Sequence, residues 1–286
     1  MIKHGNRRDA KKIKMNGFDK LVYSFKSRRS DSEVCILKEI DVTNLVGYME
    51  KKKKTNPDIT YFHLFSMAIA KVMYNKPLLN NFIIGGKKYK RNDITISFVA
   101  KTDFSDKARE FLSVIKVMED DNIDKLSDKI LHSVKKIRSN KETGTDGFIN
   151  SLSKMPTFIV RFMVWCARKL DNYDMLPQSL ISEDVYHSGV ILSNLGSIHC
   201  DGIYHNLTNF GTNSIVLTIG EIKDEVRVID SKIEKRKVCQ FGITLDERIA
   251  DGVYYVKSLN LFKYILEHPS LLEDNANDKI SIVNDK

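Results

Sequence analysis

Two short stretches decide how this chain folds: Leu192-Ser193-Asn194-Leu195-Gly196 and, about fifty residues later, Thr244-Leu245-Asp246-Glu247-Arg248-Ile249-Ala250-Asp251-Gly252. Each comes after a run of apolar and β-branched residues, so we expect each at the end of a strand. A polar turn that closes with Asp-Gly has a structural explanation, because Gly252 permits unusual backbone angles and Asp251 can hydrogen-bond the turn. The residues alone therefore leave a structural and a functional interpretation open.

The surrounding sequence predicts strands and helices in a mixed order. Alternation and β-branched runs predict strands at Val34–Ile40, Ile94–Ala100, Ser188–Ser193, Ser214–Glu221, Glu225–Ile229 and Lys237–Leu245, with a hairpin over Asn80–Lys90. Apolar residues spaced by three and four predict helices at Ile59–Tyr74, residues 104–141, Phe148–Leu170 and Val253–His268, with a polar loop at Ser139–Gly147. This order favours one mixed α/β layer structure over a doubly wound parallel sheet.

Composition excludes several classes of protein. The chain has 286 residues, 42% apolar and 29% charged, which excludes a wholly disordered or collagen-like chain. None of its four cysteines lies in a Cys-x-x-Cys pair, and no set of ligands has metal-binding spacing. The polar, basic N-terminus carries no secretory signal, so we expect free thiols in the cytoplasm.

The basic net charge and the most apolar stretch of the sequence are each compatible with more than one interpretation. The net charge of +9, with Lys51–Lys54 and a basic N-terminus, suits a phosphate-bearing small ligand. The competing class is a protein that binds nucleic acid or an anionic surface, whose affinity would fall steeply as salt is raised. Because the sequence has no RNA-binding signature, we expect no nucleic-acid partner. Met155–Ala167 is too short to span a membrane, which predicts a buried amphipathic helix, an interfacial helix or a lid.

Ser193-Asn194-Leu195-Gly196 and Asp246-Glu247-Arg248-Ile249-Ala250-Asp251-Gly252, in this order and spacing, resemble the 2-oxoacid dehydrogenase acyltransferase catalytic domain, whose fold chloramphenicol acetyltransferase shares. Those enzymes carry Ser-Asn-Leu-Gly and then Asp-His-Arg-x-x-Asp-Gly. Ile40–Leu45, Lys76–Asn80 and Ile215–Gly220 are similar to further family segments. The resemblance covers roughly residues 15–272 and implies a mixed sheet flanked by helices. We expect a basic arm at 1–30, the acyltransferase-like domain at 31–272 and a polar tail at 273–286.

The resemblance also implies a site. Relatives form trimers or multiples of trimers, and coenzyme A and the acyl acceptor enter a channel between subunits from opposite sides. The family histidine is the general base and the serine donates to the oxyanion. By position the serine is Ser193, with Asn194 as a second donor. The family aspartate that holds the loop through an arginine is Asp251 here, with Arg28 and Arg29 as candidate partners.

One departure affects the mechanism rather than the fold, because Glu247 occupies the position of the histidine. Moving a proton from a thiol to an ordinary carboxylate costs about 3 kcal/mol more than moving it to imidazole, or on the order of a hundredfold in rate. An active Glu247 therefore requires a dry, apolar pocket, whereas an exposed or arginine-paired one predicts an inactive protein. His205 is the preferred substitute base, and we expect Asn194, His205 and Gly252 to contact substrate.

These residues predict a CoA-dependent acyltransferase that transfers an acyl group to a thiol, hydroxyl or amine, using Glu247, Ser193 and Asp251. Since no lipoyl domain is visible ahead of residue 31, we expect a stand-alone protein, most simply a homotrimer. The alternative is a catalytically inactive CoA-binding or scaffold protein with the same fold. We expect acyl-CoA as substrate, no permanently bound cofactor and no metal.

Overall fold

A computed structural model of the chain describes residues 6–101, 110–139, 152 and 155–282. They form the mixed α/β architecture that the sequence predicts. The strands are β1 Ala10–Ile13, β2 Glu33–Asp41, β3 Asn81–Ile84, β4 Lys87–Arg91, β5 Ile94–Lys101, β6 Glu110–Val117, β7 Val190–Asn194, β8 Ile215–Ile229 and β9 Lys232–Asp246. The helices are α1 Gly17–Phe25, α2 Thr43–Lys52, α3 Tyr61–Asn75, α4 Ile123–Ser139, α5 Thr157–Asn172, α6 Gln178–Glu183 and α7 Gly252–Glu267.

The main sheet has six strands in the order β2-β9-β8-β7-β5-β6, and a small sheet has the order β1-β4-β3. Strand β7 runs parallel to both neighbours, β5 and β8, while the remaining pairs are antiparallel. The sheet is therefore mixed, as expected. Both sequence motifs lie on its central strands, because the first closes β7 and the second follows β9.

Helices α3 and α7 cover one face of the main sheet and form the core with it. Helix α3 is buried on all sides, because every residue from His63 to Met73 is buried, and the apolar face predicted for it is only part of that surface. Phe241 of β9 contacts Phe65 of α3 and Phe262 of α7 edge to face, with ring centroids 5.2 Å apart in both pairs. One aromatic side chain thus joins β9 to both helices.

The helix predicted over residues 104–141 is wrong in its first part. Residues 110–117 form the edge strand β6, paired antiparallel with β5, and α4 begins only at Ile123. The spacing of Phe111, Val114 and Ile115 fits a helix, but alternate residues of β6 point into the core and Ile115 is buried. The predicted loop at Ser139–Gly147 lies almost entirely outside the described residues.

The two ends of the described chain are attached to the domain. In the segment expected as a basic arm, β1 pairs with β4 and α1 follows it. In the segment expected as a polar tail, Ala276 is buried and donates its N–H to the Asp121 carbonyl over 2.7 Å. Lys71 of α3 donates to the Asn275 carbonyl over 2.5 Å. Both segments therefore contribute contacts to the fold.

Candidate functional site

Ser193 lies near the carboxyl end of β7, on the strand at the centre of the sheet. It is half-buried and pairs with Thr218 of β8 in register. Within the described residues its hydroxyl has no hydrogen-bond partner, so it is free to donate to a substrate oxygen. Asn194, the next residue, is exposed, and its carbonyl accepts the Ser197 hydroxyl over 2.8 Å.

The turn after Ser193 depends on a close approach of two backbones. A Cβ on Gly196 would lie 2.6 Å from the Gly220 carbonyl oxygen, and one on Gly242 would lie 2.0 Å from the Ile203 carbonyl oxygen. Glycine at both positions lets the loop lie flat across β8 and β9. The hydroxyl of Thr218 fixes that loop by donating to the Ile203 carbonyl over 2.6 Å.

Glu247 lies at the other end of the sheet, directly after β9. Its N–H donates to the Ser32 carbonyl over 2.9 Å, which holds the backbone beside the start of β2. The side chain is 32% exposed and forms an ion pair with Lys26. The dry, apolar surroundings that a carboxylate base requires are therefore absent around Glu247 in one chain.

Strand register gives the separation of these two residues. Ser193 pairs with Thr218, and Thr218 pairs with Gly242, so β7 and β9 are two strand spacings apart, roughly 10 Å. Glu247 follows Gly242 by five residues along β9, which adds roughly 17 Å along the strand direction. The α-carbons of Ser193 and Glu247 are therefore roughly 19 Å apart, and one chain cannot bring both side chains to one reacting atom.

The arginine contact expected of Asp251 belongs to Asp246 instead. Asp246 is fully buried and accepts from Arg248 Nε over 2.8 Å and from Nη2 over 2.7 Å. Arg29 Nε lies 3.8 Å from Asp246 Oδ2, and the Ser32 hydroxyl donates to Asp246 Oδ1 over 3.2 Å. Asp246 thus connects the end of β9 to the segment before β2. The comparison of motifs did not assign this contact to Asp246.

Asp251 and Gly252 have structural roles at the start of α7. The Asp251 carboxylate accepts the Tyr254 N–H over 2.8 Å and caps the helix, and its side chain is exposed. The unusual backbone angle expected at Gly252 is absent, and an added Cβ there would meet nothing within 4 Å. The structure therefore supports the structural interpretation of this turn for both residues.

His205 lies in the loop that crosses the sheet between the two motifs. Ile203 is bonded to Thr218 near the Ser193 end, and the Leu207 N–H donates to Glu33 over 2.7 Å near the Glu247 end. His205 is exposed on this loop, and its Nδ1 lies 3.0 Å from the Asn206 carbonyl oxygen. Among the described residues, no hydrogen bond or ion pair joins His205 to Ser193 or Glu247.

A buried charge cluster lies behind the loop and centres on His187. Its Nε2 donates to Asp171 over 2.9 Å and its Nδ1 donates to Asp184 over 2.5 Å. Arg7 binds the other oxygen of Asp171 over 2.8 Å. Burial opposes the charged form, but hydrogen bonds and charge from both carboxylates raise the pKa of His187 above its ordinary value. Both ring nitrogens of His187 are thus held by carboxylates, so His187 has a structural role and is not a free base.

This cluster predicts a pH dependence of stability. Because the pKa of His187 is raised in the folded state, its contribution is complete below the unfolded value of about 6.5 and is lost as pH rises through the folded value. We expect the free energy of unfolding from urea titrations to fall as pH rises above about 6.5, and His187→Asn to remove that slope. His132→Asn, on exposed α4, is the control; an unchanged slope in His187→Asn would contradict the assignment.

A basic cleft opens beside the Asp246 cluster. It has a volume of about 530 Å³ and is bordered by the end of α1, the β3–β4 turn, the end of α5 and the loop at residues 209–211. Four arginines line it, Arg28, Arg29, Arg168 and Arg248, and we call it the arginine cleft. Asp171 is the acidic residue in its wall and is already paired with Arg7 and His187.

Two negative observations concern the described residues alone. Among them, no group of three His, Cys, Asp or Glu side chains is arranged to hold a metal ion. No described helix is both long and apolar enough to cross a membrane.

Comparison with known proteins places the chain among acyltransferase-like proteins in sequence and in fold. The sequence profile of the 2-oxoacid dehydrogenases acyltransferase (catalytic domain) matches residues 175–273, which contain both motifs. The lipoamide acyltransferase component of the branched-chain alpha-keto acid dehydrogenase complex of Bacillus subtilis (strain 168) is 26% identical over 265 residues, 90% of this chain and 52% of that protein. The chain thus spans about half the length of this curated relative.

Solved structures show the same architecture. The cubic core of the pyruvate dehydrogenase multienzyme complex superposes with a TM-score of 0.62 at 14% identity, covering 92% of this chain and 93% of that chain. Chloramphenicol acetyltransferase superposes with a TM-score of 0.54 at 13% identity, covering 91% and 98%. The fold is that of the chloramphenicol acetyltransferase-like acyltransferases. The resemblance to the 2-oxoacid dehydrogenase acyltransferase catalytic-domain family is confirmed.

Proposed function

We propose that this protein transfers an acyl group from acyl-CoA to a small acceptor, at a site formed between two copies of the chain. The observation that carries the proposal is the roughly 19 Å separation of Ser193 and Glu247 at opposite ends of one sheet. A neighbouring copy can place its Glu247 against Ser193, and a cyclic trimer repeats that contact at each interface. The multi-copy core of the pyruvate dehydrogenase complex, which has this fold, supports such an assembly.

The role of Ser193 follows from its free hydroxyl. Attack by a thiol, hydroxyl or amine on the thioester carbonyl of acyl-CoA places negative charge on that oxygen. A donor already held by β7 stabilises this charge without reorganising, and such a donor contributes about a hundredfold or more in rate. Asn194 is exposed at the same strand end and is the second donor we propose.

The role of Glu247 is to take the proton of the acceptor. A covering subunit would remove the solvent that now reaches 32% of its side chain. Removal of water favours the neutral form of a carboxyl group, which makes the carboxylate a stronger base. Lys26 opposes this effect as long as its ammonium group stays paired with Glu247.

A second candidate is a member of the same fold that binds CoA without turnover. The ion pair between Lys26 and Glu247 favours it, since a paired and partly exposed carboxylate is a poor proton acceptor. We also propose that the protein is a homotrimer, that it functions outside a multienzyme complex and that it is cytoplasmic.

An acetyl-transfer assay tests both candidates. Acetyl-CoA is supplied with dihydrolipoamide, an alcohol or an amine as acceptor, and its binding is measured by calorimetry. We expect slow turnover in the wild type and an increase of about a hundredfold in Glu247→His, because imidazole accepts a thiol proton about 3 kcal/mol more easily. Glu183→His, on exposed α6, is the control.

The outcomes separate the two candidates. Turnover by the wild type supports acyl transfer. Binding of acetyl-CoA without turnover, with activity appearing only in Glu247→His, supports the inactive binder. If the wild type does not bind acetyl-CoA, both candidates are wrong.

A further inference from the structure

Helix α5 leaves its apolar side chains in solvent. Phe158, Phe162 and Trp165 are 72%, 63% and 55% exposed, and Phe162 stacks on Trp165 at 5.9 Å. Ile159, Met163 and Leu170 add further exposed apolar surface. The burial expected of Met155–Ala167 is therefore wrong for the single chain, where Asp171 is the buried residue of this helix. An exposed apolar patch of this kind marks a surface that contacts something else.

All exposed charged residues of α5 are cationic. Arg161, Arg168 and Lys169 are cationic and exposed, whereas the single acid, Asp171, is buried against Arg7 and His187. At 100° per residue, Arg161 and Arg168 lie within about 80° of Phe158 and Trp165, and Lys169 lies between Phe158 and Phe162, so the cations border the exposed aromatic residues. Aromatic residues bordered by long cationic side chains suit the boundary of a lipid bilayer, where the rings enter the interface and the cations reach the lipid phosphates.

The arginine cleft supplies an anion site next to this helix. Arg168 of α5 lines the cleft together with Arg28, Arg29 and Arg248. The Nε atom of Arg29 is buried and has no hydrogen-bond partner, although the remainder of its guanidinium donates to carbonyl groups of the 208–211 loop. That atom faces the Asp246 carboxylate at 3.8 Å, so a phosphate oxygen would be bound by Arg28 and Arg168, which line the cleft and are exposed.

Helix α1 borders the same cleft through Tyr23 and has no buried residues. Phe18, Leu21 and Phe25 are exposed and spaced by three and four, so they form a second apolar stripe. Two amphipathic helices with unpartnered apolar sides thus flank one cationic cleft.

We propose that α5 and α1 dock this protein on an anionic lipid surface, with the apolar side of α5 in the interface and lipid phosphates in the arginine cleft. The charge of the surface selects this occupant, because the exposed charges of α5 are cationic and the chain carries +9. The inference does not depend on acyl transfer.

Trp165 reports on this surface directly, because it is the one tryptophan of the sequence. The full chain is titrated with vesicles of phosphatidylcholine alone or mixed equally with phosphatidylglycerol, and its emission is recorded. We expect a blue shift and quenching by brominated lipid with the anionic vesicles only, together with co-flotation that weakens as salt is raised.

Variants test the two parts of the surface. Phe162→Asp is expected to weaken binding to anionic vesicles by about tenfold or more, because one aromatic side chain no longer enters the interface. Ile233→Asp, near the start of β9, is the control at another exposed apolar residue and is expected to bind as the wild type does. Arg168→Glu is expected to abolish the preference for anionic lipid, whereas Lys257→Glu on α7 leaves it unchanged.

Three results would overturn the proposal. The first is unchanged Trp165 emission with both kinds of vesicle. The second is equal binding to neutral and anionic vesicles. The third is Trp165 emission that is already blue-shifted without lipid and does not change when lipid is added, together with a mass by light scattering that shows an oligomer. A second copy of the chain would then cover α5. Circular dichroism confirms that each variant is folded.

Discussion

Replacing Asp246 by asparagine is expected to lower the free energy of unfolding by about 3–5 kcal/mol, because it leaves two buried arginines without their counter-charge. Arg248 binds this carboxylate over 2.7 Å and Arg29 lies 3.8 Å from it. Burial lowers the pKa of Arg29 to about 10, and the Asp246 carboxylate opposes that shift. An asparagine keeps the shape of the side chain but not the charge that offsets this burial.

Urea unfolding at neutral pH measures this effect. Asp224→Asn is the matched control, since Asp224 is paired with Lys235 and Lys237 at the surface and its loss is expected to change stability by less than about 1 kcal/mol. Equal stability changes in Asp246→Asn and Asp224→Asn would show that the buried cluster does not stabilise the fold.

The second large effect is expected on acyl transfer, where Ser193→Ala and Glu247→Gln should each reduce kcat/KM by about a hundredfold or more. The first change removes the hydroxyl that stabilises the oxyanion, and the second removes the group that takes the proton. His205→Asn is the control and is expected to change the rate only slightly, because no hydrogen bond or ion pair among the described residues joins His205 to either of them. A loss in His205→Asn equal to that in Glu247→Gln would assign the base to His205 instead.

Much of the fold was predictable because its signals are local. The regular apolar spacing in Tyr61–Asn75 and the Gly85-Gly86 turn gave α3 and the β3–β4 hairpin. Strand β6 was not predictable from its own residues, since the same apolar spacing fits a helix and its place at a sheet edge depends on β5. The exposure of α5 was missed for a related reason, because an amphipathic pattern does not show whether a partner surface exists within the chain.

The sequence predicted residues of the candidate site but not the distances and contacts between them. Ser193 and Glu247 lie at strand ends as expected, while their separation depends on the register of three strands and is not visible in sequence. The arginine contact was assigned to Asp251 although Asp246 makes it. The contact depends on the turn at residues 247–249, which follows β9 and brings Arg248 onto the Asp246 carboxylate, so the sequence did not show it.

Mixing two inactive variants tests most directly the claim that Ser193 and Glu247 of different chains form one site. Ser193→Ala and Glu247→Gln chains are unfolded together, refolded as mixed assemblies and assayed with acetyl-CoA. Random assembly pairs an intact Ser193 with an intact Glu247 at about a quarter of the interfaces, so we predict recovery of about a quarter of wild-type activity. If the mixture is no more active than the two variants refolded separately, the site is not shared between chains and the account is wrong.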